Sequence, residues 1–196
     1  AFEAEKVERL VAFLAARGYD RVKPPLIEFE DGLLSGAGVA VAPQTFRLMD
    51  PVSQRMMGLR ADITPQIARI AGSRLALAPR PLRLSYAGEV LRVRGSQLRP
   101  ERQIVQVGAE LIGSAAPTAD AEIIVMAVEA IAELGVGGLS VDLTVPRLVP
   151  SIFNQHDLPE EDVANVRAAL DRKDSGSVGA LAGPAAATLC ALLAAT

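Results

Sequence analysis

The sequence contains little that favours a disulfide-stabilised or membrane-spanning protein. Its single cysteine, Cys190, excludes an intramolecular disulfide and lies in an alanine-rich stretch, which favours a small buried hydrophobe over a reactive thiol. No window approaches the roughly 20 apolar residues of a membrane span, and the N-terminal segment does not resemble a signal peptide. We therefore expect a cytoplasmic protein without a membrane partner. Because the sequence starts without Met and finishes inside a helical pattern, we also expect it to be part of a longer polypeptide.

An excess of positive charge is also missing. The 196 residues include 20 basic and 23 acidic side chains, which gives a formal net charge of −3. Because affinity for phosphate backbones comes mainly from Lys and Arg, no general nucleic-acid partner is expected, although a local basic site is allowed. Hydrophobic residues make up 50% of the chain, which is enough for a sizeable core.

Several common catalytic and metal-binding patterns are absent. The glycine-rich segment 33–43 lacks the Gly-Lys-Ser/Thr ending of a phosphate-binding loop, so we interpret it as a mobile loop. The lone histidine, His156, has no Cys or His at ligand spacing, which favours a helix cap or a surface position over a metal site. No Ser-His-Asp set or cysteine nucleophile can be assembled. We expect no catalytic residues, no metal and no cofactor.

Periodicity predicts an α+β fold with a mainly antiparallel sheet flanked by helices, which we place on one face. Gly18 is expected to end the first helix, and Thr64 and Pro65 to cap and open another. The predicted helices cover 3–17, the segment after Thr64, 118–134, and two segments opened by Pro159 and Gly183. The predicted extended segments are 19–29, two strands around Asp50-Pro51, 82–93, 103–112 and 139–145. We divide the chain into a core, 1–150, and a helical segment, 151–196, which begins an insertion or a second part of a longer chain.

The strand predicted over 103–112 has two different faces, because its side chains alternate. One face is apolar and belongs to the core: Val105, Val107, Ala109 and Leu111. The other carries Gln106, Gly108 and Glu110, and the missing side chain at Gly108 predicts space for a small ligand. This second face is the predicted floor of a pocket.

Four arginines precede this strand: Arg92, Arg94, Arg99 and Arg102. An isolated cluster of this kind favours a solvated, salt-bridged hairpin, and Glu110 could likewise be paired with one of these arginines. However, an amino group or an imidazole could be bound by the carboxylates and polar groups of Asp62, Thr64, Gln106 and Glu110. Arg92 could bind a carboxylate or a phosphate. This combination predicts an amino-acid site.

Three segments resemble class II aminoacyl-tRNA synthetases in unbroken order over roughly residues 1–150. "GYDRVKPPLIEF" resembles their first motif, which is used in dimerisation, and "LSYAGEVLRVRGSQLRPERQIVQVGAELIG" resembles the second motif in its histidyl-tRNA synthetase form. "LRADITPQIARI" is similar to the segment of that enzyme which grips the histidine ammonium. The resemblance implies that Asp62, Thr64, Gln106 and Glu110 bind histidine and that Arg92 clamps the carboxylate and the α-phosphate of the adenylate.

Two departures fall where the synthetases bind ATP. Arg94 replaces the acid expected two residues after the second-motif arginine, and Pro100 stands where a basic residue is usual. An arginine facing the nucleotide amino group would offer donors to donors, so we expect an altered nucleotide site.

This pattern is similar to the synthetase-like regulatory subunits of ATP phosphoribosyltransferase. The resemblance implies a non-catalytic subunit that supports the first step of L-histidine biosynthesis and its feedback control by histidine. It also implies a homodimer that joins the short-form catalytic subunit in a hetero-oligomer, with histidine as a candidate ligand. Two alternatives stay open: a divergent histidyl-tRNA synthetase, and a free-standing amino-acid sensor.

Overall fold

Helices and two small β-sheets alternate along the chain in the computed structural model, which describes residues 2–97 and 100–194. The packing divides the chain after Leu139 into two units. The helices are α1 Phe2–Ala16, α2 Glu30–Leu33, α3 Thr64–Gly72, α4 Pro117–Glu133, α5 Leu148–Gln155, α6 Glu160–Asp171, α7 Ser175–Leu181 and α8 Ala186–Ala194. The strands are β1 Asp20–Arg21, β2 Ile27–Phe29, β3 Phe46–Met49, β4 Met56–Leu59, β5 Leu82–Leu91 and β6 Gln103–Ile112. Two 3-10 helices, Gly36–Gln44 and Gly183–Ala185, complete the set of described elements.

The larger sheet has the strand order β1-β5-β6. β1 runs parallel to β5, whereas β5 and β6 pair antiparallel over their whole length. In this register Tyr86 lies opposite Gly108, and Gly88 lies opposite Gln106. Since paired residues of neighbouring strands point to the same face, Tyr86 shares a face with the predicted pocket floor.

Helices cover both faces of this sheet. On one face, Ile63, Ile67 and Ala71 of the α3 region form a buried cluster with Leu84, Tyr86 and Val90 of β5. On the other face, Leu14 of α1 and Met126 of α4 pack with Tyr19 against Val107 and Ala109. The expectation of helices on one face was therefore wrong, because both faces of the long β5–β6 pair carry apolar side chains that must be buried.

The smaller sheet, in the order β2-β4-β3, is antiparallel. Arg60, which follows β4, links it to the larger sheet: its N–H donates to the Leu26 carbonyl at 3.0 Å, and its own carbonyl accepts from the Leu91 N–H at 3.0 Å. The Arg60 guanidinium, only 6% exposed, donates from Nε to the Glu89 carbonyl and from Nη1 to the Pro24 carbonyl, both at 2.8 Å. A Cβ at Gly88 would overlap this guanidinium. Arg60 thus fixes the chain immediately before Asp62.

Several predictions from periodicity are confirmed, including α1, the β3–β4 hairpin, the long β5–β6 pair and α4. Gly18 follows α1 with a φ of 80°, the left-handed conformation expected of a helix C-terminal glycine. The mobile loop expected over 33–43 is instead largely helical, since most of it lies in the 3-10 helix Gly36–Gln44.

The strand expected over 139–145 was wrong. These residues have no regular structure, and Val141, Leu143 and Val145 are 48%, 66% and 64% exposed. A strand requires a neighbour that accepts its hydrogen bonds, and no strand in the described part of the chain pairs with this segment. Alternating apolar residues alone therefore did not produce a strand.

The second unit is helical and has a core of its own. All four of its α-helices contribute buried residues to this core, among them Phe153, Val166, Ala169, Val178 and Leu189. Helices α6 and α8 were expected from Pro159 and Gly183, whereas α5 and α7 were not. In the structure this unit begins at Ser140. The predicted domain boundary at residue 150, and the interpretation of 151–196 as the start of an insertion or of a second part of a longer chain, stay predictions.

Two single residues of this unit had been assigned roles from the sequence. His156 is the C-terminal cap residue of α5 and donates its N–H to the Ile152 carbonyl at 3.2 Å, so its cap position is confirmed. Cys190 is half-buried and packs against the core of the unit. Within 2–97 and 100–194, no helix has the length and apolar character needed to cross a membrane.

Candidate functional site

Asp62 occupies the junction between β4 and α3 and is held by hydrogen bonds from two directions. Its Oδ1 accepts from the Thr64 N–H and from Gln106 Nε2, each at 2.9 Å. Gln106 Oε1 in turn accepts from the Ile63 N–H at 3.0 Å. Pro65 opens α3 as expected, but the expectation that Thr64 caps this helix was wrong: Thr64 is its first residue, the N-cap position is Ile63, and no side chain of the N-cap residue bonds to the helix. The Asp62 side chain, one residue earlier, accepts from the Thr64 N–H instead.

The Thr64 hydroxyl takes part in a second set of contacts. Thr64 Oγ1 lies 2.9 Å from the Tyr86 hydroxyl, and that hydroxyl donates to Glu110 Oε1 at 3.2 Å. Glu110 is half-buried, and Tyr86 is 4% exposed. Tyr86 thus completes one hydrogen-bonded series that includes four of the residues expected to bind histidine: Gln106, Asp62, Thr64 and Glu110.

Tyr86 occupies the space that the sequence assigned to a ligand. A Cβ at Gly108 would overlap the hydroxyl end of the Tyr86 ring. The glycine is therefore required by the tyrosine on the neighbouring strand, and the expectation of empty space above Gly108 was wrong. The sequence feature that indicates this contact is a tyrosine on β5 directly opposite a glycine on β6, and this pairing can be recognised only once the β5–β6 register is known.

Burial raises the pKa of Tyr86 to about 12, and the neighbouring Glu110 and Asp62 carboxylates add to that effect, although the Thr64 hydrogen bond opposes it. The phenol is consequently protonated at neutral pH, and Tyr86 acts as a neutral hydrogen-bonding group.

Arg92 and Arg94 line a cavity of about 290 Å³ together with Asp62, Glu101 and Gln44. We call it the arginine cavity. Arg92 Nε lies 3.4 Å from the Ala61 carbonyl, a weak contact. A carboxylate or a phosphate entering this cavity would meet two guanidinium groups, with Asp62 at the same wall.

The described part of the arginine-rich segment does not form the salt-bridged hairpin considered above. Within it, neither Arg92 nor Arg94 pairs with a carboxylate, and Arg102 lies over the Phe46 ring at 4.5 Å. Pro100 is exposed, and Arg99 lies outside the described residues. The ion pair considered for Glu110 is also not found among those residues.

Four of the five residues predicted to bind histidine line two separate cavities, and Gln106 lines neither of them. Thr64 and Glu110 line a second cavity of about 330 Å³ with Arg80 and Ile112, which we call the Glu110 cavity. Asp62 and Arg92 belong to the arginine cavity. Asp62 lines one cavity and Thr64 the other, and the Thr64 N–H donates to the Asp62 carboxylate. The N-terminus of α3 therefore borders both cavities.

Comparison with known proteins agrees with the motifs. A family model described as "Histidyl-tRNA synthetase" matches residues 2–196. The ATP phosphoribosyltransferase regulatory subunit of Paramagnetospirillum magneticum is 60% identical over 194 residues, which cover 99% of this chain and 51% of that protein. The Rhodospirillum centenum protein of the same name is 57% identical over 193 residues, 98% of this chain and 50% of the relative. The chain therefore spans about half the length of these curated relatives.

Solved structures give the same result for the fold. The crystal structure of an ATP phosphoribosyltransferase regulatory subunit/histidyl-tRNA synthetase from Bacillus halodurans C matches with a TM-score of 0.73 and 26% identity, covering 98% of this chain and 51% of the other. The histidine–tRNA ligase subunit of Alicyclobacillus acidocaldarius matches with a TM-score of 0.63 and 29% identity, covering 86% of this chain and 48% of the other. The predicted α+β class with a class II synthetase-like core is thereby confirmed, and so is the resemblance to the regulatory subunits. The chain belongs to the histidyl-tRNA synthetase family.

Proposed function

We propose that this chain is part of a regulatory subunit of ATP phosphoribosyltransferase, one that binds histidine but performs no chemistry on it. The single observation that carries the proposal is the agreement of two curated relatives, both named ATP phosphoribosyltransferase regulatory subunit, at 60% and 57% identity over nearly the whole chain. In this role the protein joins a short-form catalytic subunit as a homodimer within a hetero-oligomer. Its location in the cytoplasm stays a prediction.

The hydrogen-bonded series around Asp62 supports an amino-acid ligand. Asp62 and Glu110 are held by neighbours on other elements, so their carboxylates do not need to reorganise when a cationic ligand arrives. Arg92 provides a forked donor for a carboxylate at the wall that Asp62 also lines. Histidine carries the complementary groups: an ammonium, a carboxylate and an imidazole.

The arginine cavity supports the absence of histidine activation. Arg94 lines it where the related synthetases carry an acid, and a guanidinium offers no acceptor to an adenine amino group. The second unit also lacks a positive surplus, since residues 140–196 include seven acidic and four basic side chains. This excess of negative charge does not favour binding of the tRNA phosphate backbone.

A divergent histidyl-tRNA synthetase is the second candidate, and the family model over residues 2–196 favours it. In this role Arg92 would bind the carboxylate and steady the α-phosphate of the adenylate. A free-standing amino-acid sensor, the third reading, would bind histidine without increasing any phosphoribosyltransferase activity.

Reconstitution tests the proposal. The full-length protein is combined with the candidate short-form catalytic subunit, and ATP phosphoribosyltransferase activity is measured with and without histidine. We expect the full-length protein to raise the rate and histidine to lower it, because a ligand that favours one assembly state shifts the equilibrium by about 1–3 kcal/mol. An unchanged rate in the presence of a stable complex would reject the regulatory role. Capture of the catalytic subunit from the native extract separates this role from the free-standing sensor.

A further inference from the structure

Tyr86 joins two residues that line the Glu110 cavity, although it contributes no surface to that cavity itself. Its hydroxyl contacts the Thr64 hydroxyl and the Glu110 carboxylate, and both of those residues line the cavity. A residue in this position can decide which hydrogen-bonding groups the wall offers to a ligand.

The protons in this wall have only one consistent arrangement. Tyr86 donates its single proton to Glu110 Oε1, so the phenol has no proton left for Thr64. The 2.9 Å contact between Tyr86 and Thr64 then requires the Thr64 hydroxyl to be the donor. Thr64 consequently has lone pairs, but no proton, left for the cavity.

The hydrogen-bonding capacity that Thr64 and Glu110 retain is therefore that of acceptors, and both residues line the cavity. Arg80 is the other charged residue of the cavity, and its Nη2 donates to the Ala71 carbonyl at 3.0 Å. A ligand group that lies against the acceptor wall must bring two donors, as an imidazolium or an ammonium does. A ring of the same shape without N–H groups would leave both oxygens without partners.

We infer that Tyr86 is a positioning residue that orders these protons, so that the Glu110 cavity selects ligand groups with two N–H donors and rejects isosteres that lack them. Because this inference rests on the proposed function, it specifies how the histidine pocket would discriminate. Without the phenol, Thr64 could donate into the cavity and Glu110 would lose the contact that fixes its orientation.

Calorimetry on the full-length protein tests this discrimination at about pH 5.5, where the free imidazole is mostly protonated and carries two N–H groups. The two probes are L-histidine and 3-(2-thienyl)-L-alanine, which has a similar ring without N–H groups. The wild-type protein should prefer histidine, and Tyr86→Phe should reduce that preference by about tenfold, since a hydrogen bond to a charged group contributes on this order. Thr64→Val, which keeps the shape and removes the hydroxyl, should reduce it in the same direction.

Tyr19→Phe is the matched control. Tyr19 is 2% exposed and donates to the Glu122 carboxylate at 2.9 Å, so it resembles Tyr86 in burial and bonding but lies on the other face of the sheet. Its removal should lower stability without changing the preference. If both Tyr86→Phe and Thr64→Val keep the preference of the Tyr19→Phe protein, the inference is wrong. If the wild-type protein binds neither probe, the inference also fails, whereas stimulation of the catalytic subunit would still support the regulatory role.

Discussion

Gln106, in the middle of β6, connects this strand to the junction between β4 and α3. Its side chain donates to Asp62 Oδ1 at 2.9 Å and accepts from the Ile63 N–H at 3.0 Å. Two segments separated by more than 40 residues are thereby fixed in one arrangement. This contact places the Asp62 carboxylate at the wall of the arginine cavity.

Gln106→Glu should therefore destabilise the protein. The substitution keeps the acceptor for Ile63 but replaces the donor toward Asp62 with a second carboxylate, so a hydrogen bond becomes a like-charge contact. We expect a loss of about 1–3 kcal/mol in the free energy of unfolding, measured by urea denaturation at pH 7. Gln155→Glu adds the same charge at an exposed position at the end of α5 and should change the free energy by less than about 0.5 kcal/mol. Equal effects of the two variants would contradict this role of Gln106.

Gly108→Ala should be strongly destabilising, because the new methyl group would overlap the buried Tyr86 ring. Overpacking of this kind costs about 1–3 kcal/mol, and the backbone of a long paired strand cannot easily move away. The control is Gly179→Ala in α7, where a Cβ meets no atom within 4 Å and helix propensity should increase stability by about 0.5–1 kcal/mol. Thermal denaturation of the two variants should shift in opposite directions; a Gly108→Ala protein as stable as the wild type would show that Tyr86 does not fill this space.

Arg60→Lys should also destabilise the protein, although the charge is retained. A lysine cannot reproduce the forked donors that reach the Glu89 and Pro24 carbonyls from Nε and Nη1. We expect a loss of about 1–3 kcal/mol in the free energy of unfolding. Arg74→Lys, at an exposed position, is the matched control and should have almost no effect. Similar denaturation midpoints for both variants would exclude a structural role for the Arg60 fork.

Glu122 should make stability depend on acidity. Hydrogen bonds from Arg83, followed by that from Tyr19, lower the pKa of the Glu122 carboxyl to about 2. A depressed pKa in the folded state means that the contribution to stability is fully present above the unfolded value near 4.5 and is lost as the pH falls toward 2. Glu122→Gln should therefore be less stable than the wild type at pH 7, and the difference should shrink between about pH 5 and pH 2.

Denaturation midpoints at pH 7, 5 and 3 measure that difference. Glu129→Gln is the control. Glu129 lies on α4, as Glu122 does, but its substitution removes only an exposed ion pair with Arg17, and such pairs contribute little to stability. A gap between the wild type and Glu122→Gln that stays constant from pH 7 to pH 3 would contradict the assignment of the low pKa to this cluster.

Periodicity in the sequence was sufficient for elements whose stability depends on their own residues and on immediate neighbours. Helix α1 with Gly18, the β3–β4 hairpin and the β5–β6 pair follow from apolar spacing and turn residues. The segment 139–145 shows the limit of such patterns, because a strand depends on a neighbour that the sequence does not identify.

The site was predictable in its members but not in its arrangement. Asp62, Thr64, Gln106 and Glu110 were selected by side-chain chemistry and by the resemblance, and the structure connects them by hydrogen bonds. Tyr86 was missed because its role depends on the cross-strand register with Gly108, a relationship between residues more than 20 positions apart. For the same reason the division into two cavities could not be read from alternation along a single strand.

Histidine-dependent exchange of pyrophosphate into ATP by the full-length protein tests the central claim most directly. A regulatory subunit whose arginine cavity carries Arg94 in place of an acid should show no exchange above background, even when calorimetry demonstrates that histidine is bound. Exchange that depends on histidine and disappears in Arg92→Ala would contradict the account and identify the protein as an enzyme that activates histidine.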